Sequence, residues 1–471
     1  MKKLFLLLLF ILFLSATGIS YATTHNVPSP YDDSDVQDTI NDAGCVTGDV
    51  VYIPACTVTW TGTVSIPNSK KITIQGAGST NTVITHSGIA IDLNESGSRV
   101  TGIEFITPIG GAGQLVFTNG VGWRIDHCKF TNDSGALRNA ITVSGMNVTT
   151  FPEGLIDNNV INECKILVVG AGSFTKDCIE WARAVVFGTV NSVYIEDNAF
   201  SKTGNGTNVI DTNRAGCYVA RYNTFNGLSG QAHVHSLQSS NERGPRNWEF
   251  YGNEWTGDSW GAMFIRAGTG YIWGNTIGAD WGHSVIFDNV RSNYDIGGDA
   301  GECNGASDWD GNELANGWPC RDQIGRGLDA SLWTTENPYP SQASMPVYIV
   351  NNRHDGSIGN VYIHNGDDAW IVSDRDYFNE VASFDGTTGA GSGTFAEMNN
   401  ITPNKTGVGW WCTDKGGDWN ANVEGVNDGC LYVWDGDSWE VEYTPYDYPH
   451  PLRGPEGKSF SVKIEGGAKI N

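Results

Sequence analysis

Short runs of alternating apolar and polar residues, each closing on a polar corner, recur through the middle of this chain. They span Trp123 to Phe130, Gly154 to Ile161, Val193 to Phe200, Val219 to Phe225, Glu249 to Trp255 and Tyr271 to Ile277. One column of the series holds Cys128 and then Asn159, Asn198, Asn223, Asn253 and Asn275, always two residues before a large apolar side chain. Successive column positions lie 31, 39, 25, 30 and 22 residues apart, the size of one strand-and-loop coil whose loops vary in length. Stacked parallel strands lie about 4.8 Å apart. An asparagine repeated at a bend is therefore placed to bond its equivalents above and below, and it tolerates a left-handed backbone. The pattern predicts an all-β chain wound as one parallel β-helix solenoid, whose core lengthens along its axis and escapes the limit of about 250 to 300 residues on a globular core.

A second set of strands runs from Asn139 to Val143, Arg183 to Phe187, Gln231 to His235, Gly261 to Ile265 and His283 to Phe287, aligned on the small residue in second place. Alternate residues of a strand share a face. This alignment gathers Arg183, Gln231, His233, His235 and His283 on one face, read as the exposed one, and Trp260, Ser236, Arg266 and Asp288 on the other. A slip of one residue would exchange the two. The ends of the stack need covers. Ser34 or Asp35 is placed to cap a short helix from Val36 to Asn41 over the first coil. The tail, crowded with Trp410, Trp411, Trp419, Trp434 and Trp439, reads as a Trp-rich β cap on the last coil or as a small sugar-stacking module, with a hairpin turning at Asp435 and Gly436.

The opening stretches Val36 to Ile40, Gly48 to Pro54 and Lys71 to Gly78, followed by the asparagine-punctuated coils, resemble the entrance to the pectin-lyase-like right-handed β-helix superfamily. Together with Arg321 to Arg326 and Tyr446 to Leu452, the whole looks most like secreted bacterial β-helix proteins. The resemblance covers residues 30 to 380 and implies the right-handed fold. It leaves the reaction open, because that superfamily holds polysaccharide lyases, glycoside hydrolases, phage tailspikes and non-enzymatic adhesins.

Residues 1–22 read as a secretory signal: Lys2 and Lys3, an apolar run from Leu4 to Leu14 and the small-residue exit at Ala22. That run is shorter than a span of about 20 residues and no later stretch is apolar enough to anchor the chain, so a secreted, soluble monomer is expected, extracellular or at the cell surface. Residues 23–380 are assigned to the β-helix, 381–395 to a mobile Gly/Ser/Thr-rich connection and 396–471 to the tail. Cleavage after Ala22 takes the formal charge from -25 to -27 by removing Lys2 and Lys3. Such a field disfavours nucleic acid and anionic lipid, and it admits a polyanionic sugar only through a local basic groove or bridging cations.

Ten cysteines in an exported chain suggest disulfides. Cys45 with Cys56, Cys303 with Cys320 and Cys412 with Cys430 are the sequence-local pairs, and Cys128, Cys164, Cys178 and Cys217 admit three connectivities. No CxxC pair or HExxH motif is present, so zinc is not expected.

Flat aromatic faces suit the CH-rich faces of sugars, and Trp260 and Trp281, at comparable places before successive strands, are read as one binding shelf with His283, Arg291 and Arg321. His233 and His235, two apart on a strand, are candidates for general acid and base, since histidine titrates near 6.5 unperturbed. Arg183 or Arg266 could neutralise a uronate carboxylate during β-elimination. Hydrolysis would instead need two carboxylates flanking the bond, drawn from Asp280, Asp288 and Asp322. Asp308, Asp310 and Asn312 place oxygen ligands at alternate positions, a candidate calcium loop whose glycine comes too early for the EF-hand pattern, and the resemblance implies calcium as a bridge to acidic sugar. The leading expectation is an enzyme acting on a polysaccharide held along the groove, a lyase first and a hydrolase second. A non-catalytic adhesin or glycan-binding β-helix is the competing one.

Overall fold

The computed structural model describes residues 22–457 apart from 95–96, 134–136, 146–150, 171–184, 203–207, 228–231, 235–243, 289–323, 326–343, 365–370 and 424–426, with backbone alone for 232–234 and 455–457. The chain passes through three sheets in turn and then returns to the first. Val50–Ile53 lies in a twelve-stranded sheet, Cys56–Thr59 in an eleven-stranded one and Val64–Ser65 in a ten-stranded one, after which Thr73–Gly76 pairs in parallel with Val50–Ile53. The cycle repeats as far as Thr269–Trp273, Thr276–Ile277 and Trp281–Phe287. This winding is a parallel β-helix, as the repeat predicts. Its interior is built from files of identical register: Ile74, Val100, Ile125, Ile156 and Ile195 pair in succession along the twelve-stranded sheet, and all five are 0% exposed. No described helix is long and apolar enough to cross a membrane.

The asparagine column forms a continuous ladder. The Oδ1 of Asn198 accepts from the backbone N and the Nδ2 of Asn159, and the same pair of bonds links Asn198 to Asn223, Asn223 to Asn253 and Asn253 to Asn275. The ladder runs one coil further than the sequence pattern, from Asn275 to Asn352. The left-handed residue is not the ladder asparagine, as expected, but the one before it: Asn158, Asp197, Tyr222 and Asn351 have φ of 53°, 55°, 55° and 56°, and Gly252 and Gly274 take the same place. The bend is made one position earlier, which frees each asparagine to point along the stack. Replacing Asn223 with alanine is expected to destabilise the chain by about 2 kcal/mol, because buried donors of Asn198 lose their acceptor. Denaturant titration measures it, and an unchanged midpoint with an unchanged slope contradicts it.

The first coil is closed by a helix at Asp33–Asn41 that buries Val36 and Ile40. Its cap is Asp32, not Ser34 or Asp35: the Asp32 carboxylate accepts from Asp35 N while the Asp35 carboxylate accepts from Asp32 N. The reciprocal box satisfies two end donors where one serine would satisfy one.

The tail packs on the last coils, where the Tyr348 hydroxyl donates to Gly407 O at 2.8 Å, and reaches well beyond them. It lies along the flank of the twelve-stranded sheet, where Trp411 stacks on Trp273 with centroids 4.3 Å apart and Tyr443 stacks on Tyr271 at 4.2 Å. Within the segment read as a mobile connection, Ala390–Gly393 is a strand paired in parallel with Gly409–Cys412. Its glycines are there for close approach, since a Cβ on Gly391 would fall 2.6 Å from the Trp410 ring. The hairpin forms as expected, with Cys430–Trp434 antiparallel to Trp439–Tyr443 and the Asp435 carboxylate accepting from Asp437 N and Ser438 N.

A buried ionic seam joins the tail to the sheet. Arg221 is 0% exposed; it donates to Glu196 Oε2, to the Tyr251 hydroxyl and to the carbonyls of Tyr446 and Asp447. Arg453 reaches Asp157, Glu196 and Asp197, and Arg124 pairs with Asp157 at 2.9 Å. Glu249 accepts from the Tyr443 hydroxyl and from Gly188 N. Burial raises its pKa from 4.5 to about 6, against the lowering effect of those two bonds. The folded chain therefore holds this proton more tightly than the unfolded one. Ionisation costs stability as pH rises from about 4.5 to 6, on the order of 2 kcal/mol. His450 acts in the opposite sense, since burial lowers its pKa from 6.5 to about 4 and its protonation weakens the fold as pH falls. In Glu249→Gln, the stability difference from the parent should shift in the variant's favour across pH 4.5 to 6 and stay level above it. Denaturation of both chains at several pH values would refute this if the difference did not move.

Candidate functional site

With the twelve-stranded sheet covered by the tail, the ten-stranded sheet offers an outer face. Its register places Ala232, Met263, Val285 and Val361 in one file, His233, Phe264, Ile286 and Tyr362 in the next, and Val234, Ile265, Phe287 and Ile363 in a third. Met263, Ile265, Val285 and Phe287 belong to the core, so the file of His233 and Tyr362 alternates to the outside. This corrects the sequence alignment on small residues. Ala232 stands opposite Met263, not Ala262, and Arg266 and Asp288, two residues past Phe264 and Ile286, share the His233 side instead of opposing it. A small residue is a poor register mark where the adjacent position must fill the core.

Arg266 and Asp288 meet here, with Arg266 Nε 3.2 Å from Asp288 Oδ2. His364, which follows the strand Val361–Ile363, brings Nδ1 to 3.6 Å from Asp288 Oδ1, and its backbone N donates to Phe287 O at 2.8 Å. Asp288 is 1% exposed, whereas the His364 side chain is 30% exposed. A buried carboxylate thus faces one nitrogen of a ring whose other edge is open. The Arg266 guanidinium lies 4.2 Å over the Phe264 ring, which fixes its plane.

Around this trio stand aromatic rings. Trp260, 41% exposed, meets His364 edge-on at 4.8 Å, and Tyr362, 38% exposed, stacks on His283 at 4.3 Å with 8° between planes. Asn360 Nδ2 donates to His283 Nδ1 at 3.2 Å. Ser284 Oγ and Asn360 Oδ1 each lie 3.3 Å from His354 Nδ1. Burial first, then the neighbouring His354 and His364, hold the His283 pKa below its ordinary value. Trp281 does not join the shelf expected of it. It pairs in register with Ser259 and is 2% exposed within the core, because its offset of one residue from Trp260 puts it on the opposite face. Asp280 is exposed in the turn before that strand.

Arg183, His235, Arg291, Arg321 and Asp322, the candidate calcium ligands Asp308, Asp310 and Asn312, and Cys178, Cys303 and Cys320 lie outside the described residues, as does most of the secretory signal; for His233 only the backbone position is described. The disulfide expectation is corrected where it can be read. Cys45, Cys56, Cys412 and Cys430 are all free thiols. Proximity in sequence does not make two Cβ vectors converge: Cys45 is buried behind the first helix, while Cys56 begins a strand registered on Thr82. Cys412 and Cys430 are cross-strand partners, yet Cys412 donates to Asp414 Oδ1 at 3.1 Å, and burial raises the two thiols to about 12 and about 11. In the tail, Phe395, Tyr432, Trp434 and Trp439 line a shallow cavity of about 450 Å³, while Trp410, Trp411 and Trp419 are spent on packing.

No family model and no curated protein matches the chain. Among solved structures, it is similar to a mannuronic-acid-specific polysaccharide family 6 lyase from the human gut microbiota, at 13% identity over 81% of this chain and 88% of that one, with a TM-score of 0.39. The catalytic domain of a GH87 alpha-1,3-glucanase in complex with tetrasaccharides follows at 9% identity, 78% and 69% coverage and a TM-score of 0.34. An alginate lyase from Paenibacillus sp. str. FPU-7 shares 16% identity over 56% of this chain and 93% of its own, with a TM-score of 0.27. At these scores the parallel β-helix rests on this chain's own strand register, not on the likeness.

Proposed function

We propose that this chain is a secreted enzyme that cleaves a uronate-containing polysaccharide by β-elimination, on the outer face of the ten-stranded sheet. The observation that carries the reading is the trio of His364, buried Asp288 and Arg266 flanked by the exposed rings of Trp260 and Tyr362. Elimination takes the proton beside the uronate carboxyl onto the base, forms a carbon–carbon double bond and expels the glycosidic oxygen, which takes up a proton from water or from the protonated base. It calls for a base and for a cation that offsets the charge gathering on the carboxylate. His364, oriented by Asp288, supplies the base; Arg266 supplies the cation, with His283 and His354 nearby. Arg266 balances Asp288 here, so the pair adds no net negative charge to a strongly acidic chain. Hydrolysis, the second choice, would need two carboxylates across the bond, and among the described residues only Asp288 is drawn into the cluster by an ion pair.

The test is incubation of the purified mature chain with plant, algal and bacterial glycans, uronate-rich and neutral, with and without calcium. Ultraviolet absorbance from an unsaturated product is the expected result. New reducing ends without that absorbance would replace elimination by hydrolysis, and neither signal across the panel would leave a non-catalytic glycan binder.

A further inference from the structure

Far from this face, at the entrance to the first coil, three unlike donor groups converge. His25 lies on the strand Thr24–Asn26, Asp49 directly precedes Val50–Ile53, and Cys45 lies in the loop between the capping helix and that strand. One ligand atom from each falls within 4.8 Å of the other two. His25 Nε2 is 2.9 Å from Asp49 Oδ2. The side chains of His25 and Asp49 are 20% and 4% exposed, and Cys45 is 1% exposed. The pair formed by Asp49 with His25 has an ordinary structural use, tying the first strand to the second. Cys45 does not share it. No described hydrogen bond engages the Cys45 sulfur, as is also true of Cys164 and Cys430, but Cys45 alone of the three is grouped with an imidazole and a carboxylate.

We infer that His25, Cys45 and Asp49 form a binding site for a borderline-soft divalent cation of the zinc type. Nitrogen, thiolate and carboxylate are the donors such ions take, at about 2.0 to 2.3 Å. In a tetrahedron of that size, ligand atoms sit roughly 3.4 Å apart. The imidazole and the carboxylate need to part by about half an ångström, and the sulfur to close by at most about 1.4 Å. Asp49 is already braced for the task, since its Oδ1 accepts from Thr23 N at 2.8 Å and its Oδ2 from Val46 N at 2.9 Å. The chemistry excludes calcium, which prefers an all-oxygen set. The ligands come from residues 25, 45 and 49, a spacing no short zinc motif describes. A bound ion would staple the first strand to the first coil.

The experiment is titration of the chelator-treated full mature chain with cobalt(II). One equivalent should give a near-ultraviolet thiolate-to-cobalt charge-transfer band that zinc abolishes. Cys45→Ser should lose the band, Cys56→Ser should keep it, and His25→Ala should weaken binding at least tenfold, the smaller effect that even an outer-shell partner commands. Zinc should also raise the melting temperature of the parent and of Cys56→Ser, and not of Cys45→Ser. Absence of the band, or its survival in Cys45→Ser, overturns the site. None of these readouts depends on glycan cleavage.

Discussion

Replacing His364 with alanine lowers turnover on a uronate polymer by about 10² to 10⁴-fold, the usual contribution of a positioned general base. The ring is replaceable structurally: it is part-exposed, its edge contact to Trp260 is worth about 1 kcal/mol, and its backbone bond to Phe287 O survives the substitution. The melting temperature should therefore move by only a few degrees while the rate collapses. Asp288→Asn tests the same arrangement from beneath, because the amide fills the carboxylate's place 3.6 Å from Nδ1 but no longer offers a full charge to the imidazolium formed after proton transfer. Its loss should be smaller and confined to kcat. If His364→Ala keeps more than about a tenth of the parent turnover, His364 is not the base and the trio is a structural ion pair.

The largest stability effect is expected at Arg221. Removing one member of a buried ion pair leaves the other uncompensated and costs about 3 to 5 kcal/mol. Arg221→Met leaves Glu196 with Arg453 as its one cationic partner among the described residues, and also takes away the donor to the carbonyls of Tyr446 and Asp447, so the tail should loosen. Urea denaturation reads the first effect, and limited proteolysis between Tyr443 and Gly457 reads the second. Pairing it with Glu196→Gln should recover part of the loss, since the stranded charge is then gone. A single-variant cost under about 1 kcal/mol would show that Arg453, which also reaches Glu196, carries the seam alone.

What the sequence discloses follows from how each feature is held. The asparagine column was legible because a ladder demands the same side chain in every coil. It was lost at Asn352 only because 77 residues separate that rung from Asn275. The position of the left-handed bend was not legible, since Asn158, Asp197, Tyr222 and Gly252 share a backbone shape and no chemistry. Arg266 and Asp288 could be singled out as polar residues closing their strands. His354, Tyr362 and His364 were missed, although Val361 to His364 repeats the alternation of Val285 to Asp288 and could have been aligned with it. The tail's reach beyond the last coils was not legible for a related reason: its tryptophans announce an apolar surface, but the face they cover is set by partners such as Tyr271 and Trp273, more than a hundred residues earlier.

The rung between Asn275 and Asn352 has a consequence for the spacing of the coils. Two adjacent storeys remain in register although the polypeptide leaves the ten-stranded sheet at Phe287 and re-enters the twelve-stranded one only at Val347. The entropy of closing such an excursion grows only with the logarithm of its length. The rung holds the spacing of the scaffold there, together with Ile324, which lies in the core, and Gly325, whose backbone N donates to Gly268 O. The spacing between these two storeys is thus set by the contacts at its ends and not by the number of residues between Phe287 and Val347.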